Sequence, residues 1–137
     1  MSISHQVEYV RFESGHLAGV VSCARILDWP SYVDPATALA AFSAPGAVTW
    51  VATHDLEVIG LATLLTDGVV QSHLSLVGVL PDYRRKGVAR KLVAAAFQES
   101  GGKWLDLCSE PGSENFYRSF SHNERVGFRV YPSEPAA

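Results

Sequence analysis

Val77-Gly78-Val79-Leu80-Pro81-Asp82-Tyr83-Arg84-Arg85-Lys86-Gly87-Val88-Ala89 is the stretch whose reading decides the fold. It reads as a buried strand, a short turn, and the mouth of a helix rich in basic and small residues. Five of the 11 Lys and Arg of the chain fall between Arg84 and Lys91. A helix start leaves backbone N–H groups unpaired and carries the positive end of the macrodipole, so cations are ordinarily placed at the other end. Cations and a Gly at this end make a site for a phosphate or pyrophosphate. Gly87 admits close approach of the backbone to a ligand, and Ala89 keeps a following position small. The bland alternative is a surface helix with a basic first turn, which the dipole disfavours.

Working outward, the helix predicted from Arg85 to about Glu99 buries Val88, Leu92, Val93, Ala96 and Phe97 on one side and ends at Gly101-Gly102. Upstream, Val48–Thr53 and Val58–Leu65 read as strands joined by the turn His54-Asp55-Leu56-Glu57. Asp67-Gly68 is a hairpin signal, and Val69–Leu80 is a third, long strand. Two consecutive hairpins make an antiparallel meander. Trp104–Ser109 is a further strand, returning parallel to Val69–Leu80 through the helical crossover. Towards the N-terminus, Val7–Phe12 is a strand, and Ser14 caps a helix along Leu17, Val20, Val21, Ala24 and Leu27 that ends at Trp29-Pro30. Asp34-Pro35 opens a second helix that runs through Leu39 and Phe42 to Pro45-Gly46. Ser113–Phe120 is a short helix and Val126–Tyr131 a last strand. The order is β-α-α-β-β-β-α-β-α-β. The fold class is therefore α/β, a mixed, mostly antiparallel sheet of about six strands flanked by about four helices. One domain is expected over 1–131, followed by a loose tail at 132–137.

Composition narrows the function classes. A chain of 137 residues, 47% hydrophobic and 18% charged, is one soluble globular domain with a real core. Its formal charge of −3 argues against general nucleic-acid affinity, so the local basic cluster points to a small polyanion. No apolar run reaches membrane-span length, and Met1–Gln6 lacks a cationic region followed by an apolar one; a cytoplasmic protein is expected. Cys23 and Cys108 form no metal motif and are expected to be reduced. No metal site is expected.

Arg84-x-x-Gly87-x-Ala89, with Pro81-Asp82-Tyr83 and the strand before it, resembles the acyl-CoA pyrophosphate loop of the GNAT superfamily of N-acetyltransferases, whose pattern is Arg/Gln-x-x-Gly-x-Gly/Ala. The element order is similar to that family's over nearly the whole chain, most strongly from Leu74 to Leu92 and weakly before Val48. The resemblance implies acetyl-CoA as cosubstrate, with Arg84, Arg85, Lys86, Gly87, Val88 and Ala89 at its pyrophosphate. It also implies central strands that splay apart, with the pantetheine arm entering the gap against the backbone of Val77 and Val79. An amide there would polarise the thioester carbonyl. Gly78 between them marks either a bulge or close ligand approach, or else relieves crowding against the helix at Arg85.

The implied reaction is direct transfer of the acetyl group to a primary amine. The rival from another class is a non-catalytic CoA-binding module that regulates a partner protein. A Rossmann-type nucleotide site fails, because the basic loop follows a meander and lacks Gly-x-Gly-x-x-Gly.

Two residues fall on the family's catalytic positions. His73, four residues before Val77, stands where protein-acetylating members carry a Glu general base. A His, with an ordinary pKa near ~6.5, can take a proton there. An ordered water chain, used by other members, and a purely structural histidine are the alternatives. Asp106 on the next strand would orient His73, bind the substrate ammonium, or pair locally within the expected buried run Trp104–Cys108. Cys108 reads as a small core residue.

Phe116-Tyr117-Arg118-Ser119-Phe120-Ser121-His122 resembles the family's Phe-Tyr-x-x-Leu-Gly-Phe segment and assigns Tyr117 as the acid that returns a proton to the CoA thiolate. The sequence departs from the pattern at Ser121-His122, while a true Gly-Phe stands later, at Gly127-Phe128. If that is the match, Arg125 replaces the acid. The family's pantetheine-binding Asn has no counterpart; Glu110 and Ser113 stand in that stretch. One strand after Tyr117, where the family has two, is a further departure. The acceptor side falls on Asp28-Trp29-Pro30-Ser31-Tyr32-Val33-Asp34, aromatic and acidic enough for a cationic amine, or a plain helix–helix turn. A small-molecule or peptide amine is the expected partner, with no nucleic acid and no membrane, and the chain a monomer or homodimer.

Overall fold

A computed structural model describes residues 6–133. The chain divides into two compact units, 1–106 and 107–137. The first contains a five-stranded sheet in the order β1-β2-β3-β4-β5. Its strands are β1 (Glu8–Arg11), β2 (Ala47–His54), β3 (Glu57–Thr66), β4 (Gln71–Val79) and β5 (Trp104–Asp106). The first four pair antiparallel in sequence order, and β5 runs parallel to β4. The meander and the crossover expected from the sequence are both present.

Two helices cover one face. α1 (Leu17–Ile26) and α2 (Pro35–Phe42) bury Val20, Val21, Cys23, Ala38 and Phe42 against Val51, Val58 and Leu61. Asp34 caps α2, accepting from the Thr37 N–H at 3.0 Å and the Thr37 hydroxyl at 2.9 Å, with Pro35 at the first helical position where its missing N–H costs nothing. Ser14 does not cap α1. A 3-10 turn at Ser14–His16 comes first, closed by reciprocal bonds between Glu13 and His16, and α1 begins at Leu17.

The other face carries α3 (Val88–Ser100), which packs across β2, β3 and β4 through Val88, Leu92, Val93 and Ala96. Its C-terminal end is fixed by a hydroxyl relay: Ser72 donates to Ser100 at 2.8 Å, and Thr66 donates to the Ser100 carbonyl at 3.1 Å.

The second unit contains α4 (Glu114–Arg118). Val126–Tyr131, read as a strand, forms no ladder, which leaves five strands rather than about six among the described residues. Its alternating apolar side chains lie in solvent, Val126 and Phe128 at 84% exposure and Val130 at 82%. Alternation gives a segment two faces, but a strand forms only where a neighbour accepts its backbone bonds. The stretch expected to continue β5 also shortens. Trp104, Asp106 and Cys108 are exposed, so this is not a buried run, and Cys108 is not a core residue. Cys23 is the buried thiol; it donates to the Val58 carbonyl, and burial pushes its pKa up to about 11. Of the expected loose tail, 134–137 lies outside the described residues, as does 1–5 at the other end.

Candidate active site

The connection from β4 to α3 is built in three steps. The Leu80 N–H donates to the Ile59 carbonyl at 2.8 Å, holding the end of β4 against β3. A 3-10 turn at Pro81–Tyr83 follows, and the Arg84 N–H closes it onto the Pro81 carbonyl at 3.3 Å. The backbone then passes through two left-handed residues, Arg85 at φ 63° and Gly87 at φ 81°. Gly87 is the N-cap of α3, so the helix starts at Val88, not at Arg85. No side chain caps it, and its first turn holds no acid.

The N–H groups of that turn are left without a side-chain cap, and the exposed residues Arg84, Arg85 and Lys86 immediately precede them. A Cβ on Gly87 would meet nothing within 4 Å. Glycine is needed there for the backbone conformation rather than for room. Arg84 is partly committed: its Nε donates to the Val79 carbonyl at 3.0 Å. Lys86 and Lys91 also line a shallow cleft with Gln6, Val7, Tyr9 and Val88 on the β1 side of the helix.

β4 is paired on both sides only at its start. Gln71, Ser72 and His73 register with Trp104, Leu105 and Asp106 of β5, whereas Leu74 and Leu76 to Val79 register with β3 alone. Val77 and Val79 thus lie on a one-sided edge that leads straight into the basic loop. The parallel pairing of β4 with β5 ends after three residues.

The bulge anticipated at Gly78 is elsewhere. Gly78 registers normally with Leu61, and the extra residue is Ser75, between the pairs Thr63–Leu76 and Leu64–Leu74. Its consequence is directional. Side chains alternate along a strand, and one inserted residue shifts the phase. Ser72 faces α3 through Ser100, so His73 faces the opposite side. Across the bulge Leu76 and Gly78 share that side, Leu76 against the α1–α2 core and Gly78 beneath Leu27 and Trp29. His73 therefore belongs to the face of the sheet that carries the connection between the first two helices. His73 is exposed, and its register partner on β5 is Asp106, also exposed.

Gly78 does relieve crowding, but not against α3. A Cβ there would fall 2.6 Å from Trp29 Cζ2 and 2.8 Å from Leu27 Cδ1. Trp29 opens the 3-10 turn Pro30–Tyr32, after Asp28 in the left-handed region at φ 59°. The aromatic residues of this connection are largely used internally: Tyr32 stacks on Phe42 at 5.2 Å.

In the second unit, Tyr117 lies on α4 in an aromatic group with Phe116, whose ring is 4.9 Å away and also meets Phe120 at 5.4 Å. Burial pushes the Tyr117 phenol above its ordinary value, and the Glu110 carboxylate adds to the effect. Ser113 turns back on Glu110, its hydroxyl donating to the Glu110 carbonyl at 2.6 Å. Arg118 pairs with Glu124 at 3.2 Å. Gly127 runs past Cys108 so closely that a Cβ would meet Sγ at 2.5 Å. Among the described residues no group of three His, Cys, Asp or Glu is placed to hold a metal, and no helix is long and apolar enough to cross a membrane.

The sequence profile of the GNAT acetyltransferase domain matches residues 45–121, more than half of the chain. That span takes in the meander, the basic loop and Phe116–Ser121, and stops short of Gly127-Phe128. Solved structures share the fold. A GNAT family acetyltransferase from Streptococcus pneumoniae is 22% identical, with a TM-score of 0.75 over 94% of this chain and 100% of its own. The aminoglycoside N-acetyltransferase AAC(6')-Iy, solved in complex with CoA, is 20% identical, with a TM-score of 0.71 over 96% and 99%. An aminoglycoside acetyltransferase from an uncultured soil metagenomic sample, solved with sisomicin, is 16% identical, with a TM-score of 0.74 over 93% and 97%. No curated protein sequence matches the chain significantly.

Proposed function

The chain belongs to the GNAT acetyltransferase family, and from that premise we propose that it is an acetyl-CoA-dependent N-acetyltransferase acting by direct transfer on a primary amine. The observation that carries the proposal is the uncapped, basic start of α3, reached through left-handed Gly87 from the one-sided edge of β4. The pyrophosphate binds the first-turn N–H groups, those of Val88 and Ala89 among them, and the side chains of Arg84, Arg85 and Lys86, with Ala89 keeping the approach small. The pantetheine arm lies along β4 at Val77 and Val79.

The neutral amine attacks the thioester carbonyl carbon. A C–N bond forms, the C–S bond breaks, and the oxyanion between these events is stabilised by a β4 backbone N–H, a type of contact worth a few kcal/mol when preorganised (about 3–4). Tyr117 returns a proton to the departing thiolate. A phenol raised by burial stays protonated at neutral pH, which suits an acid. The profile match that ends at 121 favours this alignment over one through Gly127-Phe128. The amine proton leaves by His73, whose side of the sheet is that of the α1–α2 connection, with Asp106 beside it in register. The aminoglycoside-acetylating neighbours favour a small-molecule amine as acceptor.

Calorimetric titration with CoA tests the proposal. Wild type binds; Arg84→Ala and Gly87→Val bind more weakly, the first through lost charge and hydrogen bonds, the second through a β-branched residue forced into the left-handed region. Unchanged affinity in both soluble variants would refute the loop assignment.

A further inference from the structure

A second contact reaches the basic loop from outside its own connection. Tyr83 closes the 3-10 turn immediately before Arg84, and its hydroxyl lies 2.7 Å from Nδ1 of His54. The two rings meet edge to face, 5.3 Å apart at 63°. His54 is the last residue of β2, and β3 separates β2 from β4 in the sheet. The contact therefore spans a strand. His54 is half-buried, with Nε2 3.8 Å from the Asp55 carboxylate. The Lys86 ammonium lies 5.8 Å from the Tyr83 ring centroid.

The loop needs such a tie. Arg85 is a non-glycine residue at φ 63°, a conformation that persists only where surrounding contacts over-determine it. The bonds from Arg84 to Pro81 and to Val79 both start and end within β4 and its exit, so they move with the loop. The bond to His54 refers the loop to the sheet two strands away. Neither residue belongs to the Arg84–Ala89 pattern.

We infer that His54 and Tyr83 are positioning residues for the acyl-CoA site, the end of β2 holding the phosphate-binding loop in shape through the Tyr83 hydroxyl. This rests on the acetyl-CoA reading above. Loss of one neutral hydrogen bond corresponds to roughly a two- to tenfold change in an equilibrium. Tyr83→Phe, which keeps the ring beneath Lys86, and His54→Ala should each raise the acetyl-CoA KM and the CoA Kd by about that factor, leaving kcat and the amine KM unchanged. The double variant should lose less than the sum of the two single losses, because both remove the same bond, while His54→Ala alone also removes the ring contact and the Asp55 contact. His54→Asn, which puts a hydrogen-bonding atom near the Nδ1 position, should restore most of the affinity.

In ligand-free protein, Tyr83→Phe should speed hydrogen exchange at the amides of Tyr83, Arg84 and Lys91, which the loop holds on the carbonyls of Leu80, Pro81 and Gly87. Wild-type KM and Kd in both single variants, additive losses in the double variant, or unaltered loop exchange would each overturn the inference while leaving the cofactor assignment standing. Failure of the wild-type protein to bind CoA would instead refute the acetyl-CoA reading.

Discussion

Gly78→Ala adds one methyl group at the point where the α1–α2 connection meets β4. The new carbon would stand 2.6 Å and 2.8 Å from two atoms of the Trp29 indole and 2.8 Å from Leu27 Cδ1. Ordinary carbon contacts are about 3.5–4.0 Å, so the overlap is about 1 Å. Leu27 can rotate away, but an indole held over a strand moves as a rigid plate. Overpacking of this kind costs typically about 1–3 kcal/mol. Replacing a strand glycine by alanine returns roughly 0.5–1 kcal/mol of backbone entropy. The net expectation is a loss of about 1–2 kcal/mol, seen as a lower urea midpoint with an unchanged m-value. Trp29→Leu removes the obstructing ring atoms, so Gly78→Ala should cost at least about 1 kcal/mol less in that background than in wild type. Equal or greater stability of Gly78→Ala, or the same cost in both backgrounds, would refute the reasoning.

Other outcomes follow from the same geometry. Tyr117→Phe should lower the maximal rate roughly ten- to a thousandfold with acetyl-CoA affinity near normal; an unchanged rate at saturation removes Tyr117 from the mechanism. Asp67 accepts from the N–H groups of Val69 at 2.8 Å, Val70 at 2.7 Å and Gln71 at 3.2 Å, which hold its carboxyl below the usual carboxylate range. A depressed folded-state pKa means stabilisation that is complete above the unfolded value and lost as pH falls through the folded one. The Tm gap between wild type and Asp67→Asn should thus be constant above about pH 5 and close on acidification below about pH 4. Leu56 is 94% exposed in the β2–β3 turn at φ 69°, beside Asp55 at φ 51°. Leu56→Gly, which creates the preferred Asp-Gly turn, should raise Tm by roughly 2–5 °C, and a lower Tm would contradict the strain assigned there.

Much of this architecture was legible because its punctuation is chemical. Asp34-Pro35 and Gly101 mark helix ends through a cap and left-handed backbone, and each does so in the structure; Gly87, read for close approach within a helix from Arg85, is instead the N-cap of α3. The basic loop was legible for a related reason: cations at a helix start run against the dipole and call for an anion. Three features were not legible. Ser75 carries no bulge signal, because an ordinary residue inserted between Leu74 and Leu76 leaves the local pattern plausible, and only the register of β3 exposes the shift. Val126–Tyr131 has strand periodicity, but pairing is a property of two segments, not one. The His54–Tyr83 contact joins residues 29 apart, and neither residue type marks a site by itself.

Acetyl-CoA with a panel of primary amines, aminoglycosides and simple alkylamines among them, tests the central claim most directly. Free thiol is followed continuously, and the acceptor is weighed by mass spectrometry. The account expects one amine class to give acetylated product in step with CoA release, with the rate suppressed in Arg84→Ala. CoA release absent from every amine, with the protein folded and acetyl-CoA saturating, would contradict it.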